Sequence, residues 1–70
     1  GQELIGNSRN NVIASIDDEG VIICRTFKNG SVGILNLWQS NPNPGRCISI
    51  NANGNILAGF GDGKITCLSP

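Results

Sequence analysis

The 70-residue chain contains no histidine, no methionine and no tyrosine. Histidine is the commonest general base and the commonest metal ligand, so its absence removes the usual basis for both. None of the serines has a base near it in the sequence to activate it as a nucleophile. We therefore expect no catalytic residues, no metal site and no cofactor. Because the chain begins at Gly1 without any methionine, we also expect it to be a piece of a longer product.

Charge of either sign and long apolar runs are also scarce. Five Lys+Arg balance five Asp+Glu, and the basic residues are scattered along the chain. Nucleic-acid binding usually requires a basic patch. The longest apolar run, Val21–Cys24, is far too short to cross a bilayer. The sequence predicts neither a nucleic-acid partner nor a membrane partner.

An internal repeat is present. At an offset of 44 residues, residues 2–18 align with residues 46–62, so that Asn11 falls on Asn55 and Ala14 on Ala58. Deleting one turn residue then brings Gly20 onto Gly63 and Cys24 onto Cys67. A period of about 40–45 residues is that of a four-stranded propeller blade. We divide the chain into a first repeat (1–39), a Pro/Asn-rich link (40–45) and a second, incomplete repeat (46–70).

Turn residues separate seven predicted β-strands. The strands are Glu3–Asn7, Val12–Asp17, Val21–Phe27, Val32–Trp38, Cys47–Asn51, Ile56–Phe60 and Ile65–Leu68. Asp62-Gly63 is the pair that a type I′ hairpin turn requires, and Asn29-Gly30 and Asn53-Gly54 predict further hairpins. The prolines of the link cannot continue a ladder, so one sheet should end there and the next begin.

Both faces of the predicted strands are largely apolar. Ile56, Ala58 and Phe60 lie on one face of the sixth strand, and Leu57 lies on its opposite face. In the fourth strand, Leu35 and Leu37 likewise make an opposite face apolar. This pattern predicts sheets buried on both faces, as in stacked propeller blades.

The segment from Ile56 to Leu68, ILAGFGDGKITCL, resembles the central hairpin of WD40 and quinoprotein-like (PQQ-type) propeller repeats. The resemblance implies an all-β fold of antiparallel four-stranded propeller blades, present here as about one and two-thirds blades. Where a WD40 repeat would have Trp-Asp, the chain has Cys24-Arg25 and Cys67-Leu68. Asn29-Gly30 followed by Trp38 is similar to the PQQ-type pattern. The subfamily is left open.

Candidate binding residues lie in the predicted loops. They are Asp17, Asp18, Glu19, Lys28, Asn29, Arg46, Asp62 and Lys64. The carboxylates of Asp17–Glu19 lack the alternating spacing of a calcium loop, so they are interpreted as a solvated hairpin tip. We expect a non-catalytic protein-interaction scaffold or recognition module. The alternative is a segment of a quinoprotein-like enzyme or of a sugar-binding propeller.

The partner implied is a protein or further propeller blades, with a homo-oligomer as one form. A chain cut at this length would expose an apolar sheet face at each end and an unpaired edge at its last strand. We therefore expect it to belong to a longer polypeptide or to complete its fold by association.

Cys24, Cys47 and Cys67 form no close pair in the sequence, which excludes zinc and thioredoxin-type motifs. Equivalent positions in successive sheets lie about 10 Å apart, too far for a disulfide between Cys24 and Cys67. We expect all three to be buried free thiols. Free thiols favour a reducing compartment, so the localisation is left open with a lean to the cytoplasm. The glycosylation sequon Asn29-Gly30-Ser31 points the other way but is discounted, because such triplets arise by chance in a chain rich in Asn and Ser. Trp38 is expected to be mostly buried.

Overall fold

Seven β-strands and no helix make up the described part of the chain. A computed structural model describes residues 2–39 and 41–69, without the side chains of Leu4 and Ile5. Ser40, the first residue of the predicted link, lies outside the described residues. The strands are β1 (Glu3–Arg9), β2 (Val12–Asp17), β3 (Ile22–Lys28), β4 (Ser31–Trp38), β5 (Gly45–Ile50), β6 (Ile56–Phe60) and β7 (Ile65–Leu68). All seven predicted strands are confirmed, with bounds within two residues.

The strands form two antiparallel sheets. One contains β1-β2-β3-β4 in sequence order, and the other contains β5-β6-β7. The break between them falls at the link, as predicted, since Pro42 and Pro44 have no N–H to donate to a ladder. The N–H of Gly61 donates to the Pro44 carbonyl oxygen at 2.8 Å, which attaches the link to the three-stranded sheet. The fold is all-β and antiparallel.

Two hairpins close with two-residue turns. Asn10-Asn11 joins β1 to β2 with φ of 53° and 63°, and Asn29-Gly30 joins β3 to β4 with φ of 53° and 78°. Positive φ at both central residues defines a type I′ turn, which asparagine and glycine tolerate best. The Asn29-Gly30 hairpin is confirmed, whereas the sequence analysis missed the asparagine pair.

The other three hairpins share a longer turn, spanning Asp17–Val21, Asn51–Asn55 and Phe60–Lys64. In each turn the first N–H donates to the last carbonyl oxygen, at 3.0 Å. The fourth residue is a glycine with φ of 78°, 81° and 86° respectively. The type I′ prediction for Asp62-Gly63 is therefore wrong, because Gly63 has positive φ and Asp62 does not. Gly61 adds a third loop residue, and such loops combine a type I turn with a left-handed glycine.

These turns correct the alignment of the two repeats. Asp17 and Phe60 hold the same turn position, and they are 43 residues apart rather than 44. In strands β2 and β6 the equivalent of Ala14 is therefore Leu57, not Ala58. A shift of one residue exchanges the two faces of a strand. In β3 and β7 the predicted equivalence of Cys24 with Cys67 is kept.

The core lies between the two sheets. The four-stranded sheet contributes Ala14, Ile16, Ile22 and Cys24, and the three-stranded sheet contributes Ile48, Ile50, Ile56, Ala58 and Phe60. Each fully buried isoleucine stabilises the fold by about 1.5–3 kcal/mol. Any side chain at Gly45 would overlap Ile16, so close approach of the sheets requires glycine there. Trp38 packs against this core and is mostly but not fully buried, as predicted.

The sheets stack in the same sense rather than as mirror images. At the offset of 43, the buried residues Ala14, Ile16, Ile22 and Cys24 correspond to Leu57, Gly59, Ile65 and Cys67. Those four residues lie on the face of the three-stranded sheet that points away from the core. The face of the four-stranded sheet that carries Ala14 and Cys24 thus packs against the face of the three-stranded sheet that does not carry their equivalents.

Each sheet is buried on one face within the chain, so the predicted burial of both faces is not observed. Leu57 is 51% exposed, and Leu35 and Leu37 are 51% and 52% exposed. The three cysteines are free, but of these only Cys24 is buried. The prediction of burial is wrong for Cys47 and Cys67, because no second sheet covers their face.

Candidate binding surfaces

The predicted binding residues are divided between the two ends of the sheets. Since neighbouring strands are antiparallel, loops that follow β2, β4 and β6 meet at one end, which we call the link end. It carries six of the eight predicted residues: Asp17, Asp18, Glu19, Arg46, Asp62 and Lys64. Lys28, the last residue of β3, and Asn29, in the β3–β4 turn, lie at the opposite end. The structure therefore brings six predicted residues to one end and separates the other two.

Asn41 connects the loops of the link end. Its side chain is buried, with 8% of the residue exposed. The amide nitrogen donates to both carboxylate oxygens of Asp62 at 3.3 and 3.4 Å, while the amide oxygen accepts from the Asn43 N–H at 3.0 Å. On its other side, the Asn41 carbonyl oxygen lies against Gly20 so closely that a Cβ would overlap it. One link residue thus holds the β2–β3 and β6–β7 turns together. The sequence analysis missed this role.

Asp17 is a structural residue of the first turn rather than part of a solvated tip. It is 3% exposed, and its Oδ1 accepts hydrogen bonds from the Glu19 and Val21 N–H groups at 2.9 and 2.8 Å. Burial acts to raise its pKa, but the hydrogen bonds outweigh burial and lower the pKa of Asp17 below the usual value. The interpretation as a solvated tip is wrong for Asp17 and agrees with the exposed Asp18 and Glu19.

Asp62 has the same kind of role at an exposed position. Its Oδ1 accepts from the Lys64 N–H at 3.2 Å. Its slight desolvation acts to raise the pKa, but the bonds from Lys64 and Asn41 lower the pKa of Asp62 overall. Asn51 repeats the arrangement in the β5–β6 turn, where its Oδ1 accepts from the Asn53 and Asn55 N–H groups. All three longer turns therefore use a side-chain oxygen to hold their backbone.

The charges are distributed unevenly between the two ends. All five carboxylates lie at or next to the link end: Glu3, Asp17, Asp18, Glu19 and Asp62. The opposite end carries Arg9 and Lys28 together with exposed asparagines. No group of three or more Cys, Asp or Glu side chains within the described ranges 2–39 and 41–69 is placed to hold a metal ion. The link end thus carries all five carboxylates together with Arg46 and Lys64.

One ion pair crosses the outer face of the four-stranded sheet. Arg25 Nη1 lies 2.8 Å from Glu3 Oε1 and 3.3 Å from Ser15 Oγ. The hydrogen bond from Arg25 is the main reason that the pKa of Glu3 is lowered. The pair makes the β1–β2 half of this face polar.

The β3–β4 half of the same face is apolar. Phe27, Val32, Ile34, Leu35 and Leu37 are between 46% and 64% exposed. Ile13 and Ile23 continue this surface on β2 and β3. Contiguous exposed apolar residues are typical of interaction surfaces.

The outer face of the three-stranded sheet is apolar as well. It carries Leu57, Ile65, Cys47 and Cys67, with Ile65 72% exposed. At Gly59, which has no side chain, the face has a depression of about 130 Å³, lined also by Cys47 and Leu57. Of these residues, the sequence placed Leu57 on the face opposite Ile56, Ala58 and Phe60, and that face was expected to be covered. Their pattern was the available signal for a binding surface.

None of the described residues forms a helix that could span a membrane. The fold and its surfaces define the chain as an all-β protein of two stacked antiparallel sheets. No family model, curated protein or solved structure matches the chain.

Proposed function

We propose that the chain is a non-catalytic protein-interaction scaffold built from propeller-type repeats. Its binding surface is the outer face of the three-stranded sheet, and the occupant is the outer face of the four-stranded sheet of a second copy. One observation carries the proposal. The exposed residues Leu57, Gly59, Ile65 and Cys67 hold the same sheet positions as the residues that the first sheet buries in the core.

The internal interface shows how a large side chain can pack over a glycine between two sheets. Within the chain, Ile16 packs over Gly45, so a large side chain fills the space above a glycine. On the outer face, Cys47 Sγ lies 2.7 Å from the position of a Cβ at Gly59, and the depression beside it leaves room for a further side chain. Interiors pack without voids of this size, so an apolar side chain from a covering sheet would gain contacts there.

The second copy has a suitable partner face. The apolar half of its four-stranded sheet, on β3 and β4, presents Phe27, Val32, Ile34 and Leu37. Burying the Glu3–Arg25 pair would require desolvation of both charges, so contact on the β3–β4 half is favoured. Contact between unlike faces is heterologous and can add further copies.

The proposal is tested by placing a charge on the face. We expect the parent chain to sediment above the mass of one copy at micromolar concentration, and Leu57→Lys to sediment as one copy. Leu57 is half exposed, so a lysine there should leave the fold intact. Ala52→Lys adds the same charge at an exposed turn away from the face and should associate like the parent. A folded one-copy parent chain, or unchanged association of Leu57→Lys, would overturn the proposal.

A further inference from the structure

The last strand of each sheet, β4 or β7, has a side with no neighbouring strand in its own sheet. In an antiparallel ladder, successive residues direct their backbone N–H and C=O groups to opposite sides. The Lys64 carbonyl oxygen accepts a hydrogen bond from the Phe60 N–H, so the backbone groups of Lys64 point toward β6. Because the direction repeats every second residue, the backbone groups of Thr66 and Leu68 also point toward β6. It follows that the backbone groups of Ile65 and Cys67 point to the open side of β7.

The four-stranded sheet indicates what fits on that side. β3 is the equivalent of β7, since Cys24 corresponds to Cys67 and Ile22 to Ile65. On β3 this side is paired with β4, which places Trp38 opposite Ile22 and Asn36 opposite Cys24. The open edge of β7 in the three-stranded sheet is therefore equivalent to the edge of β3 that pairs with β4 in the four-stranded sheet.

The outer edge of β4 is protected against a further strand. The register shifts between Cys24 and Arg25, which puts an irregularity into β4. In addition, the N–H of Leu37, which points away from β3, donates to Oδ1 of the neighbouring Asn36 at 2.8 Å. Both features discourage edge-to-edge pairing. On β7 the register with β6 is regular over Ile65–Leu68, and no described side chain bonds to the backbone of Ile65 or Cys67.

We propose that β7 binds an extended segment of another polypeptide as an antiparallel fourth strand. Its chemistry is that of β4: uncharged, with a large apolar residue opposite Ile65 and an uncharged polar residue such as asparagine opposite Cys67. Such a strand would pair with the backbone of Ile65 and Cys67 and extend the apolar outer face. This inference rests on the proposed interaction function and specifies a second form of partner.

The test uses the 70-residue chain and a synthetic peptide of its own residues 30–39, with two lysines added for solubility. Backbone amide exchange is measured with and without saturating peptide. We expect exchange at Ile65 and Cys67 to slow by about tenfold or more, because their N–H groups gain partners. Thr66 and Leu68 already donate to β6 and should change less. Unchanged exchange at Ile65 and Cys67 would overturn the inference.

Cys67→Pro and Cys67→Val form a matched pair. Proline removes the N–H that points to the open side but no hydrogen bond to β6, whereas valine keeps that N–H. The proline variant should lose peptide binding and the valine variant should keep it. Equal binding by both folded variants contradicts strand addition. If Leu57→Lys abolishes self-association while Cys67→Pro still binds the peptide, the proposed function holds and this inference fails.

Discussion

The two sheets close their central hairpins with the same turn, but the two turns have different surroundings. In the four-stranded sheet, Gly20 lies against the backbone of Asn41 and Asn43, and the first turn residue, Asp17, is buried. In the three-stranded sheet no atom outside the turn lies within 4 Å of a Cβ at Gly63. A turn with one local conformation can therefore be either part of the packed interior or an exposed loop. The neighbouring link makes the difference.

The sheet faces differ in the same way. Equivalent residues are buried in one sheet and exposed in the other, since Cys24 lies in the core and Cys67 on the outer face. The chemistry of the side chains is nearly unchanged between the two. Burial in this chain depends on whether another sheet lies over the face, and five experiments can test this comparison.

The largest effect on stability should come from Gly20→Ala. Both Gly20 and Gly63 have positive φ, so alanine at either position is strained by about 1–2 kcal/mol. At Gly20 the new methyl group would also overlap the Asn41 carbonyl oxygen, which adds about 1–3 kcal/mol or more. Urea unfolding of Gly20→Ala and Gly63→Ala measures both changes. Equal destabilisation would show that the link does not pack on the first turn.

Trp38→Ala should destabilise the chain by about 2–3 kcal/mol, below the 3–5 kcal/mol typical of fully buried aromatics. Trp38 lies on β4, for which the three-stranded sheet has no counterpart, and it packs against the core while partly exposed. The denaturation midpoint from circular dichroism is the measurement, with exposed Gln39→Ala as the control. An unchanged midpoint would mean that Trp38 serves binding rather than folding.

Asp17→Ala should destabilise by about 1–3 kcal/mol, because two backbone N–H groups lose their acceptor in a partly buried turn. Asp62→Ala should have the smaller effect, since the Asp62 turn is exposed to water. Thermal melting of the two variants measures the difference. A larger loss for Asp62→Ala would reverse the comparison of the two turns.

The pH dependence follows from the lowered pKa of Asp17. A carboxyl group with a folded-state pKa below its unfolded value of about 3.9 stabilises the fold fully above that value. This contribution is lost as pH falls through the folded-state pKa. Asp17→Asn should therefore lose less stability than the parent between about pH 5 and pH 2. Parallel curves of the free energy of unfolding against pH for the two proteins would contradict this expectation.

The smallest effect concerns the thiols and does not involve unfolding. Burial raises the pKa of Cys24, whereas Cys47 and Cys67 are exposed. We expect Cys47 and Cys67 to react with a thiol reagent under dilute native conditions, and Cys24 to react after denaturation. Cys24→Ala provides the control, because it should leave the fast phase unchanged. Fast reaction of Cys24 would place it outside the core.

Much of the secondary structure could be predicted because turn chemistry is local. Gly63, Asn29-Gly30 and the prolines of the link act through the sterics of a few neighbouring bonds, and these sites mark where strands end. Even the missed Asn10-Asn11 turn uses residues that tolerate positive φ. The error in the Asp62-Gly63 turn type has a local cause too, since Gly61 lengthens the loop by one residue.

The sequence by itself determined seven strands, their hairpin connections and the division into two antiparallel sheets. Tertiary structure alone decided which face of each sheet is covered, and hence that Cys24 is buried while Leu57 and Cys67 are exposed. It also placed Asn41 between the turns that contain Gly20 and Asp62, each of which is 21 residues from it in the sequence. The physical reason is that backbone preferences act within a few residues, whereas burial depends on a neighbouring surface that a strand's own sequence does not specify.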